Sequence, residues 1–182
     1  MLCLLGDLME KQFEIPNDVQ VEINNFKVKV TGPKGFLERD FYSPLFRKDI
    51  AIKRIDNKIS ISTESKNKKV KAMIGAIRAH VLNMFSGVKE GFEMKLKIVY
   101  MHFPFTVKVT GNEISVTNFL GEKTPRKTRV VGNCKVEIKG DEIIVAGINK
   151  EEVGETALNL ERVTRIKSRD RRVFQDGIFM LK

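Results

Sequence analysis

Apolar and polar residues alternate from Val19 to Val30, with Val19, Val21 and Ile23 in one run and Phe26, Val28 and Val30 in the next. A period of two predicts strands, and Asn24-Asn25 between the runs predicts a hairpin turn. Gly32-Pro33-Lys34-Gly35 follows, with Pro second and Gly fourth as a type I turn prefers. Further strands are predicted over 36–41, 50–55 and 59–62, with Asp56-Asn57 turning between the last two. From about Asn67 the period changes. Val70, Met73, Ile74, Ile77, Val81 and Phe85 fall on one face of a helix, which Ser86-Gly87 is expected to end.

The second half replays this pattern. Strands are predicted over 94–100, 105–109, 114–119, 135–138 and 142–145, with Gly140-Asp141 as a tight turn. Asn149 stands three residues before Glu152, the spacing of a capping box. Val153, Ala157, Leu160 and Thr164 then form the inner face of a second helix. Val28-Lys29-Val30-Thr31-Gly32 recurs as Val107-Lys108-Val109-Thr110-Gly111, and the halves close on Gly91-Phe92 and Gly177-Ile178-Phe179. A duplication of this period predicts two linked domains of one design. Each is expected to be α+β, an antiparallel sheet packed by one helix. The first repeat is assigned to residues 1–92 and the second to 93–182, with the linker near Gly91–Met94.

Composition is ordinary for a soluble globular chain, 42% hydrophobic and 31% charged, but the charge balance is not. The chain of 182 residues carries a net charge of +10. Its sequence pI near 9.6 fits a nucleic-acid binder. The halves share the excess equally, yet the second segregates it. Residues 123–135 hold Lys123, Arg126, Lys127, Arg129 and Lys135 without an acid, in what reads as a loop between strands. Residues 162–172 hold Arg162, Arg165, Lys167, Arg169, Arg171 and Arg172 against Asp170 alone. Cations of this kind neutralise phosphates and release condensed counterions, and arginine grips phosphate through paired hydrogen bonds. The first half has a smaller cluster, Lys66, Lys68, Lys69 and Lys71, at its helix start, where cations oppose the helix dipole.

Other chemistry is thinly represented. There is no glycine-rich dinucleotide or P-loop pattern. His80 and His102 stand apart, without a nucleophile–base arrangement or a metal-binding motif. Cys3 and Cys134 lie in different halves and are expected to be reduced, structural thiols, so neither a disulfide nor a zinc site is expected. No cofactor is implied. With no Trp and two Tyr, a stacking platform for single strands is poorly supplied, and structured RNA read by shape and phosphate position fits better. The apolar start Met1–Leu5 is too short to span a membrane and is expected to pack or fray at the periphery.

Five strings stand out in order along both halves: Val28 to Gly35 followed by Leu37 and Arg39-Asp40-Phe41; His80-Val81, Asn83-Met84, Gly87-Val88 and Gly91-Phe92; Val99-Tyr100 with His102-Phe103-Pro104; Asn118-Phe119-Leu120-Gly121-Glu122-Lys123, with Arg126 and Arg129 beyond; and Asp176-Gly177-Ile178. Together they resemble the L-six family of large-subunit ribosomal proteins, in its archaeal and eukaryotic form (the L-nine type of eukaryotes). In that resemblance they match, in turn, the first-domain signature, the end of the first helix, the domain junction, the family's most specific string and its C-terminal motif. Met1–Met9 matches nothing in that pattern, and Thr124-Pro125 stands where bulkier or more basic residues are expected.

The resemblance implies a structural, non-catalytic component of the cytosolic large ribosomal subunit. It would bind ribosomal RNA near the sarcin–ricin loop and the stalk base, chiefly through the second domain, beside neighbouring ribosomal proteins. Neither a membrane nor a homo-oligomer is expected. Lys123, Arg126, Lys127 and Arg129 would hold phosphates, and Arg165, Lys167, Arg169, Arg171 and Arg172 would form a second wall. Lys34, Lys66, Lys68 and Lys69 are secondary candidates. The alternative classes are a free-standing RNA-binding assembly or regulatory factor, and an enzyme on a duplicated scaffold.

Overall fold

The computed structural model describes residues 9–44, 46, 48–101, 103–167, 169–170 and 172–181. The chain divides into two compact units, Met1–Glu90 and Gly91–Lys182. The first contains β1 (Met9–Glu14), β2 (Gln20–Asn24), β3 (Lys27–Gly32), β4 (Gly35–Asp40), β5 (Ala51–Ile55), β6 (Lys58–Thr63) and α1 (Lys68–Lys89). They form two three-stranded antiparallel sheets, ordered β2-β3-β4 and β1-β6-β5. Helix α1 packs on both sheets, chiefly on β3 and β6. Val28, Val30, Ile59 and Ile61 of the central strands and Ile74 and Ile77 of the helix are fully buried.

The second unit contains β7 (Phe92–Val99), β8 (Thr106–Thr110), β9 (Glu113–Thr117), β10 (Arg126–Arg129), β11 (Lys135–Lys139), β12 (Glu142–Gly147), α2 (Lys150–Val163) and β13 (Gly177–Met180). Its sheets are ordered β8-β9-β10 and β11-β12-β7-β13. Helix α2 rests on β7, β10, β12 and β13. Leu96, Ile114, Ile143, Ala157 and Leu160 are sealed in its core. The α+β design and its duplication are therefore present. The second copy adds β13 to the outer edge of β7.

The frame of the duplication differs from the one the sequence suggests. Strand order sets β2 against β8 and β3 against β9. The repeated Val-Lys-Val-Thr-Gly string thus occupies β3 in one unit and β8 in the other, one strand out of step. The hairpin turns give the true frame: Asn25 (φ 57°) answers Gly111 (φ 60°), both left-handed. In this frame Gly32-Pro33-Lys34-Gly35 answers Asn118-Phe119-Leu120-Gly121.

Three further differences have local causes. Helix α1 runs past Ser86-Gly87 to Lys89, because Gly87 and Val88 are buried in its last turn rather than released from it. Val88 lies on Gly32, where a Cβ would sit 2.8 Å from Val88 Cγ2 and 3.0 Å from its carbonyl oxygen. Strands β1 and β13 were not anticipated. β1 completes the sheet by pairing with β6, and β13 pairs with β7. The segment expected to be a loop contains β10, an edge strand on β9. The apolar start up to Leu8 and Cys3 lie outside the described residues. Cys134 is half-buried, and burial pushes its thiol above the ordinary range, which keeps it protonated.

Candidate nucleic-acid interface

The site begins with a strained turn. After β9, Asn118 (φ 61°), Leu120 (φ 52°) and Gly121 (φ 79°) all take left-handed backbone. Leucine there costs roughly 1–2 kcal/mol. Burial of Phe119 and Leu120, with a hydrogen bond from Asn118 Nδ2 to the Pro104 carbonyl at 3.0 Å, holds the conformation. The turn delivers Glu122 to Arg126 at the start of β10.

Arg126 and Glu122 form a two-pronged pair. Nε donates to Oε2 at 2.8 Å and Nη2 to Oε1 at 2.6 Å. The remaining nitrogen, Nη1, donates to the carbonyls of Val163 and Arg165, each at 2.9 Å. The guanidinium carbon stands 4.5 Å from the centroid of the Phe119 ring. Its planar fork suits this task, since a carboxylate takes two parallel bonds while the third edge reaches the end of α2. A cation at a helix C-terminus is also favoured by the dipole. Arg126 is therefore an internal clamp. The side chain is only 20% exposed.

Strand alternation sorts the rest of the tract. Arg126 and Thr128 are half-buried, whereas Lys127 and Arg129 are exposed on the other face of β10. Lys127 pairs with Glu113 at 3.3 Å across the strands, an exposed contact of little energetic weight. Lys123 is exposed on the turn, and no ion pair engages Lys123 or Arg129 among the described residues. Lys135 opens β11, which belongs to the other sheet.

The second tract leaves the end of α2. Arg165, Lys167, Arg169 and Arg172 are exposed. Arg169 stands over Phe174 at 4.8 Å. Asp170, the one acid in the tract, turns the chain by accepting the Arg172 amide at 2.9 Å. Arg171 lies outside the described residues, as does His102. The clamp joins the two tracts, since Arg126 holds the Arg165 carbonyl. Their proximity also appears in the Glu122 carboxyl. It is held below its ordinary value, chiefly by the Arg126 hydrogen bonds and further by the charges of Arg126, Arg169 and Lys167.

That shift has a pH consequence. An unfolded glutamate titrates near 4.5. The clamp contributes fully above that value and is lost as pH falls through the lower folded pKa. The Glu122 side-chain carboxyl carbon, followed by NMR during acid titration, should titrate below pH 4.5. A midpoint at or above that pH would show that the pair is not formed.

In the first unit the Lys34 amide donates to the Val88 carbonyl at 3.0 Å, and its ammonium donates to the Glu90 carbonyl. Lys34 thus caps the end of α1. Lys66, Lys68 and Lys69 are exposed around the start of α1, where Asn67 accepts the Lys69 amide at 3.0 Å. No acid occupies that first turn, in contrast to Glu151 and Glu152 in α2. Glu152 departs from the usual capping box, since it accepts from the Asn149 side chain rather than its backbone. His80 is half-buried and accepts from Arg39 Nη1 at 3.2 Å. Among the described residues no cluster could hold a metal ion, and no helix is long and apolar enough to cross a membrane.

The residue that sequence reasoning missed is Glu122. Its signal was present as the four-residue spacing to Arg126, on the border of a tract otherwise free of acid.

Two copies of one α+β domain, with two cationic tracts tied together in the second, define a class of duplicated basic protein. Comparison with known proteins identifies the family. The family model described as ribosomal protein L6 matches residues 15–91 and again 103–177. The large ribosomal subunit protein uL6 of Methanobrevibacter smithii is 49% identical over 173 residues, 95% of each chain. That of Archaeoglobus fulgidus is 47% identical over 178 residues, covering 95% of this chain and 89% of its own length. That of Sulfurisphaera tokodaii is 45% identical over 172 residues, 94% and 91% of the two chains. The chain belongs to the ribosomal protein L6 family.

Proposed function

We propose that this chain is a structural constituent of the cytoplasmic large ribosomal subunit. It binds ribosomal RNA near the sarcin–ricin loop and the stalk base, beside neighbouring ribosomal proteins, and catalyses no reaction. Its main RNA-binding surface lies in residues 93–182. The observation that carries this reading is the union of the two cationic tracts through Arg126, which supports one fixed surface rather than two independent ones. Lys123, Lys127 and Arg129 on one side, with Arg165, Lys167, Arg169, Arg171 and Arg172 on the other, supply the phosphate contacts. Arg126 is reassigned from ligand to support. Lys66, Lys68 and Lys69 are a secondary contact, and Lys34 serves first to cap α1. Phosphate contacts of this kind position a protein on folded RNA without reading bases.

The test is sedimentation of tagged chain from cell extract. One copy per large subunit is expected, retained through washing at moderate salt. A chain found only on free RNA or on immature particles would instead favour an assembly or regulatory factor.

A further inference from the structure

We propose that Glu122 is a positioning residue for RNA binding: its carboxylate, although it repels phosphate, strengthens the chain's hold on RNA by locking Arg126 between the two cationic tracts. This rests on the reading that Lys123, Lys127 and Arg129, with Arg165, Lys167, Arg169 and Arg172, contact RNA.

Three observations carry it. Arg126 spends two of its nitrogens on Glu122 and its third on the carbonyls of Val163 and Arg165. The planar guanidinium is thereby oriented by the carboxylate, and the second tract is held where that orientation puts it. The turn that presents Glu122 places Asn118 and Leu120 in left-handed backbone, strain that buried packing of Phe119 and Leu120 holds in place just before Glu122. The acid also lies within the field of Lys167 and Arg169, so it lowers the mutual repulsion of cations that must stand close together. Preorganised ligands bind better because less ordering is left for the binding step.

Charge alone and positioning predict opposite signs. Replacing Glu122 by Gln makes the chain more basic, so charge alone predicts tighter binding. Positioning predicts weaker binding. The experiment uses the full chain and protein-free large-subunit ribosomal RNA folded in magnesium, with affinity measured across a salt series. E122Q is expected to bind on the order of tenfold more weakly, as loss of a charge-assisted pair implies. Its salt slope should be unchanged, because no phosphate contact has been removed. Amide exchange should accelerate at Arg165–Lys167. R126K keeps the charge but not the fork, and should weaken binding to a similar extent. Lysine is a competent phosphate ligand, so full affinity in R126K would return Arg126 to the role of contact and overturn the proposal. Equal or tighter binding by E122Q would also overturn it. The combined K123Q, K127Q and R129Q variant separates the two levels. If it binds like wild type, the RNA-contact reading itself fails. If it weakens while E122Q tightens, only the positioning role fails.

Discussion

Reversal of Lys123, Lys127 and Arg129 to glutamate is expected to leave the chain folded and absent from large ribosomal subunits. All three side chains are exposed, and none contributes to the core of the second unit. Lys127 would lose its pair with Glu113, a surface contact worth about 0–1 kcal/mol. Folding therefore changes little. Binding changes greatly, since each lost phosphate contact weakens it by roughly tenfold and a reversed charge adds repulsion. Together they should weaken RNA binding by about a thousandfold or more. Sedimentation of the tagged variant from cells checks this, with near-UV circular dichroism to confirm tertiary structure. Normal incorporation of a folded variant would show that these cations do not face RNA.

The largest loss of stability is expected from Leu160→Ala. Leu160 is fully buried on the inner face of α2, in a core cluster with Leu96, Ile143, Val145 and Ile178. The helix there rests on strands from both sheets of its unit. A cavity at this point therefore loosens the packing between helix and sheets as well as one side chain. Such truncations cost about 2–5 kcal/mol, enough to consume much of a small domain's stability. Denaturant unfolding of the intact chain should show the second unit melting early and the first little changed. A loss below about 1 kcal/mol would mean that the site refills, contrary to close packing. The end of α2 also supplies the carbonyls that Arg126 holds, so RNA binding should fall with stability in this variant.

What the sequence made legible follows from which faces are buried. Strands β2 and β3 were readable because one face meets the core and the other meets water, as Val28 and Val30 between Lys27, Lys29 and Thr31 illustrate, whereas β5 and β6 were readable from their isoleucines although β6 is buried on both faces. Both helices were readable from the same one-sided burial at a period of 3.6. Strand β10 was not, since Arg126-Lys127-Thr128-Arg129 has no apolar residue. Its inward face is filled by a guanidinium lying on Phe119, which hydropathy cannot register. Strand β1 offers few apolar residues, and β13 is four residues long with its pairing partner far back in the chain. The duplication was visible, but its frame was set by a short string that suits any strand. Only the pairing order and the left-handed turns at Asn25 and Gly111 fix the frame.

The same holds at the site. Segregated charge could be read directly, because it needs only composition along the chain. The division of labour within it could not. A guanidinium recognises carboxylate, carbonyl and phosphate through the same donors, so sequence alone does not separate a clamp from a contact. Alternation along β10 turns Arg126 inward and Lys127 and Arg129 outward, while the Asn118–Gly121 turn brings the acid that Arg126 needs, and the proposed roles follow from that difference.

If the outward cations of the second unit engage phosphates of folded ribosomal RNA, the salt dependence of RNA binding must differ between the wild-type chain and its K123Q, K127Q and R129Q variant. The slope of log affinity against log salt should become shallower by about two to three, one unit or slightly less for each phosphate no longer neutralised. An unchanged slope, whatever the affinity, would mean that these side chains touch no phosphate.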